Sequence, residues 1–226
     1  MFIALDGNDG VGKTTIAPLL AAAITERYGL DTLVTREPGG GSLGEHIRDY
    51  FKSNLNTLTP VEAIPLIFAA RFNHLRESII PALSEGKVVI CDRWNLSTYA
   101  YQLHDYADIP EIHSVYDQLL KCLDAHFPIG AYQFVIRSNF QAERTDAEFK
   151  LKNDNAFLNA MYAVNLTGIP KEKAFVAWNK AGAITETVNY ILGCIEGDVG
   201  SRKTWIRLPS QEKTPFHIIA EKLGAV

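Results

Sequence analysis

The sequence predicts an α/β fold: a five-stranded parallel sheet with helices on both faces. Three observations predict it. Short apolar runs alternate with longer helix-compatible runs, as in a parallel sheet covered on two sides. Residues 7–14 read Gly-Asn-Asp-Gly-Val-Gly-Lys-Thr, a complete G-x-x-x-x-G-K-[ST] loop. That loop follows the apolar run Phe2–Leu5 and precedes a helix-compatible run from Thr14 to Glu26. Strand, glycine-rich turn and helix thus stand in the order that phosphate binding needs.

The elements follow in order. Strands are predicted at Phe2–Leu5, Thr32–Thr35, Val88–Cys91, Gln133–Ile136 and Trp205–Leu208. Helices are predicted at about 13–28, 43–53, 60–83, 96–125, 154–166 and 215–223. The segment 60–83 is the best specified. Thr59, Pro60 and Glu62 supply N-cap, N1 and N3 of a capping box. Ile64, Phe68, Phe72, Leu75 and Ile79 form its apolar stripe, and Ile67, Arg71 and His74 share a neighbouring face. The tract 168–202 reads as a helix over Thr185–Ile195 and a glycine-rich loop at Gly197 and Gly200. With the phosphate loop, this pattern is that of a three-layer α/β/α P-loop NTPase-type domain. One domain spanning 1–226 is expected.

Composition narrows the function. The formal charge of −4 gives no footprint for nucleic acid, so anion binding must come from local clusters. Three scattered cysteines suggest neither a disulfide framework nor a zinc site. No apolar run approaches the roughly 18 residues of a membrane span. The N-terminus leads directly into a strand, so no signal peptide is expected, and a cytoplasmic enzyme fits.

Four clusters carry chemistry. In the phosphate loop Gly7, Asn8, Asp9, Gly10, Val11 and Gly12 turn backbone N–H groups toward phosphate, Lys13 reaches the outer phosphates, and Thr14 offers a hydroxyl to Mg²⁺, with Thr15 beside it. Thr35-Arg36-Glu37-Pro38-Gly39-Gly40 follows the second strand, where a parallel sheet binds ligands. Asp92-Arg93-Trp94 follows the third strand, which places the Asp92 carboxylate near Mg²⁺ and Arg93 at the same crevice. Ser97, Thr98, Tyr101 and Gln102 sit at i, i+4 spacing and offer hydrogen-bonding groups to a base or sugar, or simply to solvent.

These blocks, with Ala69-Ala70-Arg71, match in order and spacing those of bacterial thymidylate kinases, and residues 1–125 resemble that family. The resemblance implies transfer of the γ-phosphoryl group of ATP to dTMP, with Mg²⁺. It implies that Arg93 holds the monophosphate near the γ-phosphate, and that Arg36, Pro38 and Arg48 line the acceptor site. Asp9 would approach the acceptor sugar and phosphate. Arg71 would read the thymine edge, and Tyr101 would disfavour a 2′-hydroxyl. Ser97, Thr98 and Gln102 fall on or beside base- and sugar-contacting positions. Relatives are usually homodimers.

The chain departs from the family's pattern at several places. Ile67 stands where a base-stacking phenylalanine is usual, with Phe68 on the core stripe. Trp94 replaces the usual Tyr or His. The resemblance implies a closing lid, expected at about 138–155; Gly10 brings no arginine to the loop, so that lid is expected to supply cations, with Arg144, Lys150 and Lys152 as candidates, and the tract at about 168–203 is longer than the family's pattern. Three alternatives stand beside a dTMP kinase: a kinase preferring dUMP or a 5-substituted dUMP, a deoxynucleoside kinase using Glu37 as base, and a non-catalytic nucleotide-binding module.

Overall fold

In the computed structural model, residues 1–54, 57–139, 156–161 and 173–201 are described. The element order is β1 (Phe2–Asp6), α1 (Lys13–Tyr28), β2 (Thr32–Arg36), α2 (Ser42–Asn54), α3 (Pro60–His74), α4 (Ile80–Ser84), β3 (Val88–Asp92), α5 (Asn95–Thr98), α6 (Pro110–His126), β4 (Ala131–Ser138), α7 (156–161), β5 (Lys173–Asn179) and α8 (Ile184–Ser201). One π-helical turn, Leu75–Ile79, joins α3 to α4. Another, Tyr99–Leu103, continues α5.

The five strands pair in parallel in the order β2-β3-β1-β4-β5. Strand β1 shows why the sheet needs two cores. Its side chains alternate: Phe2 and Ala4 enter one cluster, Ile3 and Leu5 the other. On one face α1 and α8 bury Ile16, Leu20, Ile191 and Leu192. On the other, α3 and α6 bury Ile64, Phe68, Tyr116 and Leu120. Each such large side chain contributes about 1.5–3 kcal/mol by leaving water. The result places the ends of β1, β2 and β3 side by side: Leu5 pairs with Asp92, and Arg36 pairs with Asp92.

Helix α3 begins as its capping box requires. The Thr59 N–H donates to Glu62 Oε2 at 3.0 Å. The stripe Ile64, Phe68, Leu75 and Ile79 is buried, and Ile67, Arg71 and His74 are buried on the next face.

Three expectations need correction. The sheet takes its fifth strand from Lys173–Asn179, inside the tract expected to hold only helix and loop, where Ala-Phe-Val-Ala-Trp is a sufficient apolar run. Trp205–Leu208, expected in that role, and the helix at 215–223 lie outside the described residues. Helix α8 also runs through Gly197 and Gly200, where a loop was expected. The single helix expected at 96–125 is interrupted before Pro110. Proline forces Ile109 out of the helical region, to φ −115° and ψ 89°, and Pro110 then starts α6.

Candidate active site

The phosphate loop joins β1 to α1. Gly7, at φ 135°, lies so close to the Ile136 carbonyl oxygen that a Cβ there would strike it. The loop therefore sits directly over the end of β4. Asn8 and Val11 are buried, and the Val11 carbonyl accepts from Asn179 Nδ2 at 2.9 Å. Strand β5 thereby supports the loop from below.

Lys13 is the first residue of α1 and is 5% exposed. Its Nζ donates to Gly7 O at 2.9 Å and to Asn8 O at 2.6 Å. Burial, aided by the Arg93 cation, lowers its pKa to about 7, against the pull of Asp92, Asp9 and Asp6. An incoming polyphosphate would restore the charge. Thr14 Oγ1 donates to Asp92 Oδ2 at 2.9 Å. Asp92 Oδ1 is buried and has no partner among the described residues. An orphaned carboxylate oxygen beside a hydroxyl is an all-oxygen donor set that fits Mg²⁺. Thr15 is exposed at the outer side of the same turn.

Arg93 adopts φ 76°, the single non-glycine residue with positive φ among the described residues. That backbone costs on the order of 1–3 kcal/mol and persists only where the surroundings enforce it. Its guanidinium donates to Gly7 O at 3.2 Å and Ser97 Oγ at 3.4 Å, and pairs with Asp9. Its Cζ lies 5.0 Å from the Tyr101 ring centroid. The arginine thus bridges the phosphate loop and the α5 region.

Two more cations stand at the end of β2 and on α2. Arg36 is exposed and pairs with Glu45 at 3.1 Å. Arg48 donates to the carbonyl oxygen of Pro38 at 3.2 Å; the Glu37–Pro38 peptide bond is cis. Burial and then the Arg36 cation lower the Arg48 pKa, with Arg93 adding to the effect. Mutual repulsion among three arginines at one crevice is what an anionic ligand relieves.

The neighbouring wall is a buried polar network. Arg71 is 1% exposed. It donates from Nε to Glu37 Oε2 at 2.7 Å, from one terminal nitrogen to Asn95 Oδ1 at 2.7 Å, and from the other to Thr98 Oγ1 at 3.0 Å. Its guanidinium lies 5.1 Å from the Phe68 ring centroid and 4.5 Å from that of Trp94. Ile67 is buried on the same helix face. Ser97 donates its hydroxyl to Asp6, and Gln102 is half-buried. The Tyr101 hydroxyl is buried beside the Arg93 guanidinium, and burial raises its pKa. Its ring meets Phe157 of α7 edge-on at 5.7 Å.

The structure brings together Lys13, Thr14, Asp92, Arg93 and Asp9, with Arg36, Arg48 and Arg71 around them. The lid candidates Arg144, Lys150 and Lys152 lie outside the described residues. Sequence reasoning missed Asp6 and Asn179, which support the loop and the Arg93 turn. It also missed the Glu37–His74–Thr35 chain, in which His74 joins Glu37 Oε1 at 3.2 Å and Thr35 Oγ1 at 2.8 Å. The signal for that chain was the i, i+3 pair Arg71 and His74 on one face of α3.

Comparison with known proteins agrees with this geometry. A family model described as thymidylate kinase matches residues 5–121. The thymidylate kinase of Pseudomonas putida (strain W619) is 46% identical over 103 residues, 45% of this chain and 49% of that protein. That of Wolbachia pipientis subsp. Culex pipiens (strain wPip) is 35% identical over 162 residues, 67% of this chain and 78% of that protein. In several such matches the chain spans about half the length of the curated relative. The crystal structure of thymidylate kinase from Ehrlichia chaffeensis is similar at a TM-score of 0.63 and 29% identity, covering 86% of this chain and 98% of that one. The phosphate loop, the Arg-Glu-Pro turn, Arg71 and the Asp-Arg turn after β3 all lie within the matched segment, and the chain belongs to the thymidylate kinase family.

Proposed function

We infer that this chain transfers the γ-phosphoryl group of ATP to dTMP or a close analogue, giving dTDP and ADP. The observation that carries this is the position of Arg93. It touches the loop that holds the donor phosphates and faces the crevice that Arg36 and Arg48 line. A second phosphate-bearing ligand suits three converging arginines; a neutral acceptor does not.

The chemistry is mainly positioning and charge stabilisation. An acceptor phosphate oxygen attacks the γ-phosphorus, the bond from that phosphorus to the bridging oxygen breaks, and the electron pair leaves with ADP. Lys13 and the loop N–H groups hold the donor. Arg93 meets charge on the transferring group and on the acceptor, while Asp9 orients Arg93. Mg²⁺, held by Thr14 and Asp92, would neutralise charge on the phosphate oxygens. Tyr101 and Gln102 would bound the base and sugar, and Arg71, Ser97 and Thr98, whose polar groups meet Glu37, Asn95 and Asp6, would back that wall with Ile67 and Phe68.

Glu37 speaks against a deoxynucleoside acceptor. It is 4% exposed, with its two oxygens committed to Arg71 and His74. The aliphatic Ile67 on the base-side face favours one second reading, a preference for dUMP or a 5-substituted dUMP. No helix among the described residues is long and apolar enough to cross a membrane. A cytoplasmic homodimer is the proposed setting, supported by the family pattern.

A panel of dTMP, dUMP, 5-hydroxymethyl-dUMP and dGMP with ATP and Mg²⁺ tests the acceptor. Highest turnover with dTMP is expected. Preference for dUMP would establish the second reading, and turnover of dGMP alone would overturn both.

A further inference from the structure

Asp6 ends β1, one residue before the phosphate loop, and is 0% exposed. Its Oδ1 accepts the Trp94 N–H at 2.9 Å, the Ser97 N–H at 2.9 Å and the Ser97 hydroxyl. Its Oδ2 has no partner among the described residues. Leaving a buried carboxylate oxygen bare is costly, and an apolar residue would close a strand end more cheaply. What the residue does for the turn after β3 offsets that cost.

The donors to Asp6 follow Arg93 in the chain, at its next residue and at Ser97. The Arg93 N–H itself donates to Leu5 O at 2.8 Å, so the last two residues of β1 hold the turn from both sides of the strained φ. The guanidinium then returns to the chain just beyond Asp6, at Gly7 O and Asp9. Strand end, turn, arginine and phosphate loop form one closed circuit. Without Asp6, the Trp94 and Ser97 N–H groups lose their acceptor and Arg93 is released toward ordinary backbone angles.

We propose that Asp6 is a positioning residue for phosphoryl transfer, fixing the Arg93 guanidinium against the phosphate loop by holding the 93–97 turn. The proposal rests on the activity inferred above. Its effect belongs to kcat, because a displaced Arg93 weakens charge stabilisation in the transition state while Lys13 and the loop still bind ATP.

Two variants and two measurements test it. Asp6→Ala removes the acceptor, and Asp6→Asn keeps one oxygen in the same place. In Asp6→Ala, kcat with dTMP should fall about 30-fold or more while KM for ATP stays within about threefold. In Asp6→Asn, kcat should remain within about fivefold of the parent. Hydrogen exchange followed by NMR should show the Trp94 and Ser97 N–H groups exposed in Asp6→Ala and protected in Asp6→Asn. Folded Asp6→Ala with parental kcat would overturn the proposal, as would equal kcat losses in both variants with protection intact. Should Asp6→Ala not fold, Asp6→Asn decides: lost protection with parental kcat overturns it, and protection tracking kcat sustains it. Hydrogen exchange needs no turnover, so a parent inactive on dTMP would refute the activity and leave the Asp6–Trp94 link measurable.

Discussion

Arg71 Nε donates to Glu37 Oε2 at 2.7 Å between two side chains almost entirely removed from water. The pair ties α3 to the turn after β2, and His74 and Thr35 extend it to β2 itself. Removing one member of a buried pair leaves the other uncompensated. Glu37→Ala should therefore cost about 3–5 kcal/mol of unfolding free energy, read as a lower urea midpoint. Glu37→Gln, which keeps an acceptor for Arg71, should cost less and retain turnover. Loss of turnover in a fully folded Glu37→Gln would instead point to Glu37 as a chemical base.

Lys13 supplies a pH signature. Its pKa is lowered to about 7 in the fold, by burial first and Arg93 second, whereas an unfolded lysine keeps its proton to about 10.4. Between these values the unfolded chain binds more protons, so stability of the nucleotide-free protein should rise with pH from about 7 toward 10. The slope from this group is at most about 1.4 kcal/mol per pH unit, and Lys13→Met should abolish it. ATP binding needs the charged form and should take up a proton, so affinity should fall between pH 7.5 and 9. Calorimetry in buffers of different ionisation enthalpy reads that uptake directly.

The Thr14–Asp92 hydrogen bond marks the Mg²⁺ position. Asp92→Asn removes the charge but keeps an acceptor for Thr14. Turnover should then need roughly tenfold more Mg²⁺, while binding of ATP without metal stays near the parental value. Titrating activity against Mg²⁺ checks this. An unchanged Mg²⁺ requirement would remove Asp92 from the site.

Arg93 combines a strained backbone with two roles for one guanidinium. Arg93→Lys keeps the charge and loses the planar fork that reaches both Gly7 O and Asp9. Turnover should fall about 100-fold or more, with ATP binding within a few-fold. A lysine variant of parental activity would show that a point charge suffices.

The phosphate loop was legible because glycine, lysine and threonine have fixed tasks at fixed spacing. Capping box and apolar stripe were legible because their periods are short. The break before Pro110 was encoded in Ile109-Pro110 but masked by a continuous helix-compatible composition on both sides. Strand β5 was missed because helix-like and glycine-containing stretches surround its short apolar run. In the site, single residue types showed which groups can bind phosphate, but not which are already used. Ser97 and Thr98 look like ligand-facing hydroxyls in sequence, yet they meet Asp6 and Arg71 across the chain. Such partners lie tens of residues apart, and no local pattern records them.

The most direct test of the central claim is acceptor-dependent release of ADP from ATP and Mg²⁺, measured with dTMP and with thymidine. Arginines converging on the crevice, with Glu37 withdrawn from it, predict rapid ADP release and dTDP formation with dTMP, and none above background with thymidine. Phosphorylation of thymidine in preference to dTMP, or ATP binding with no acceptor-dependent turnover, would contradict it.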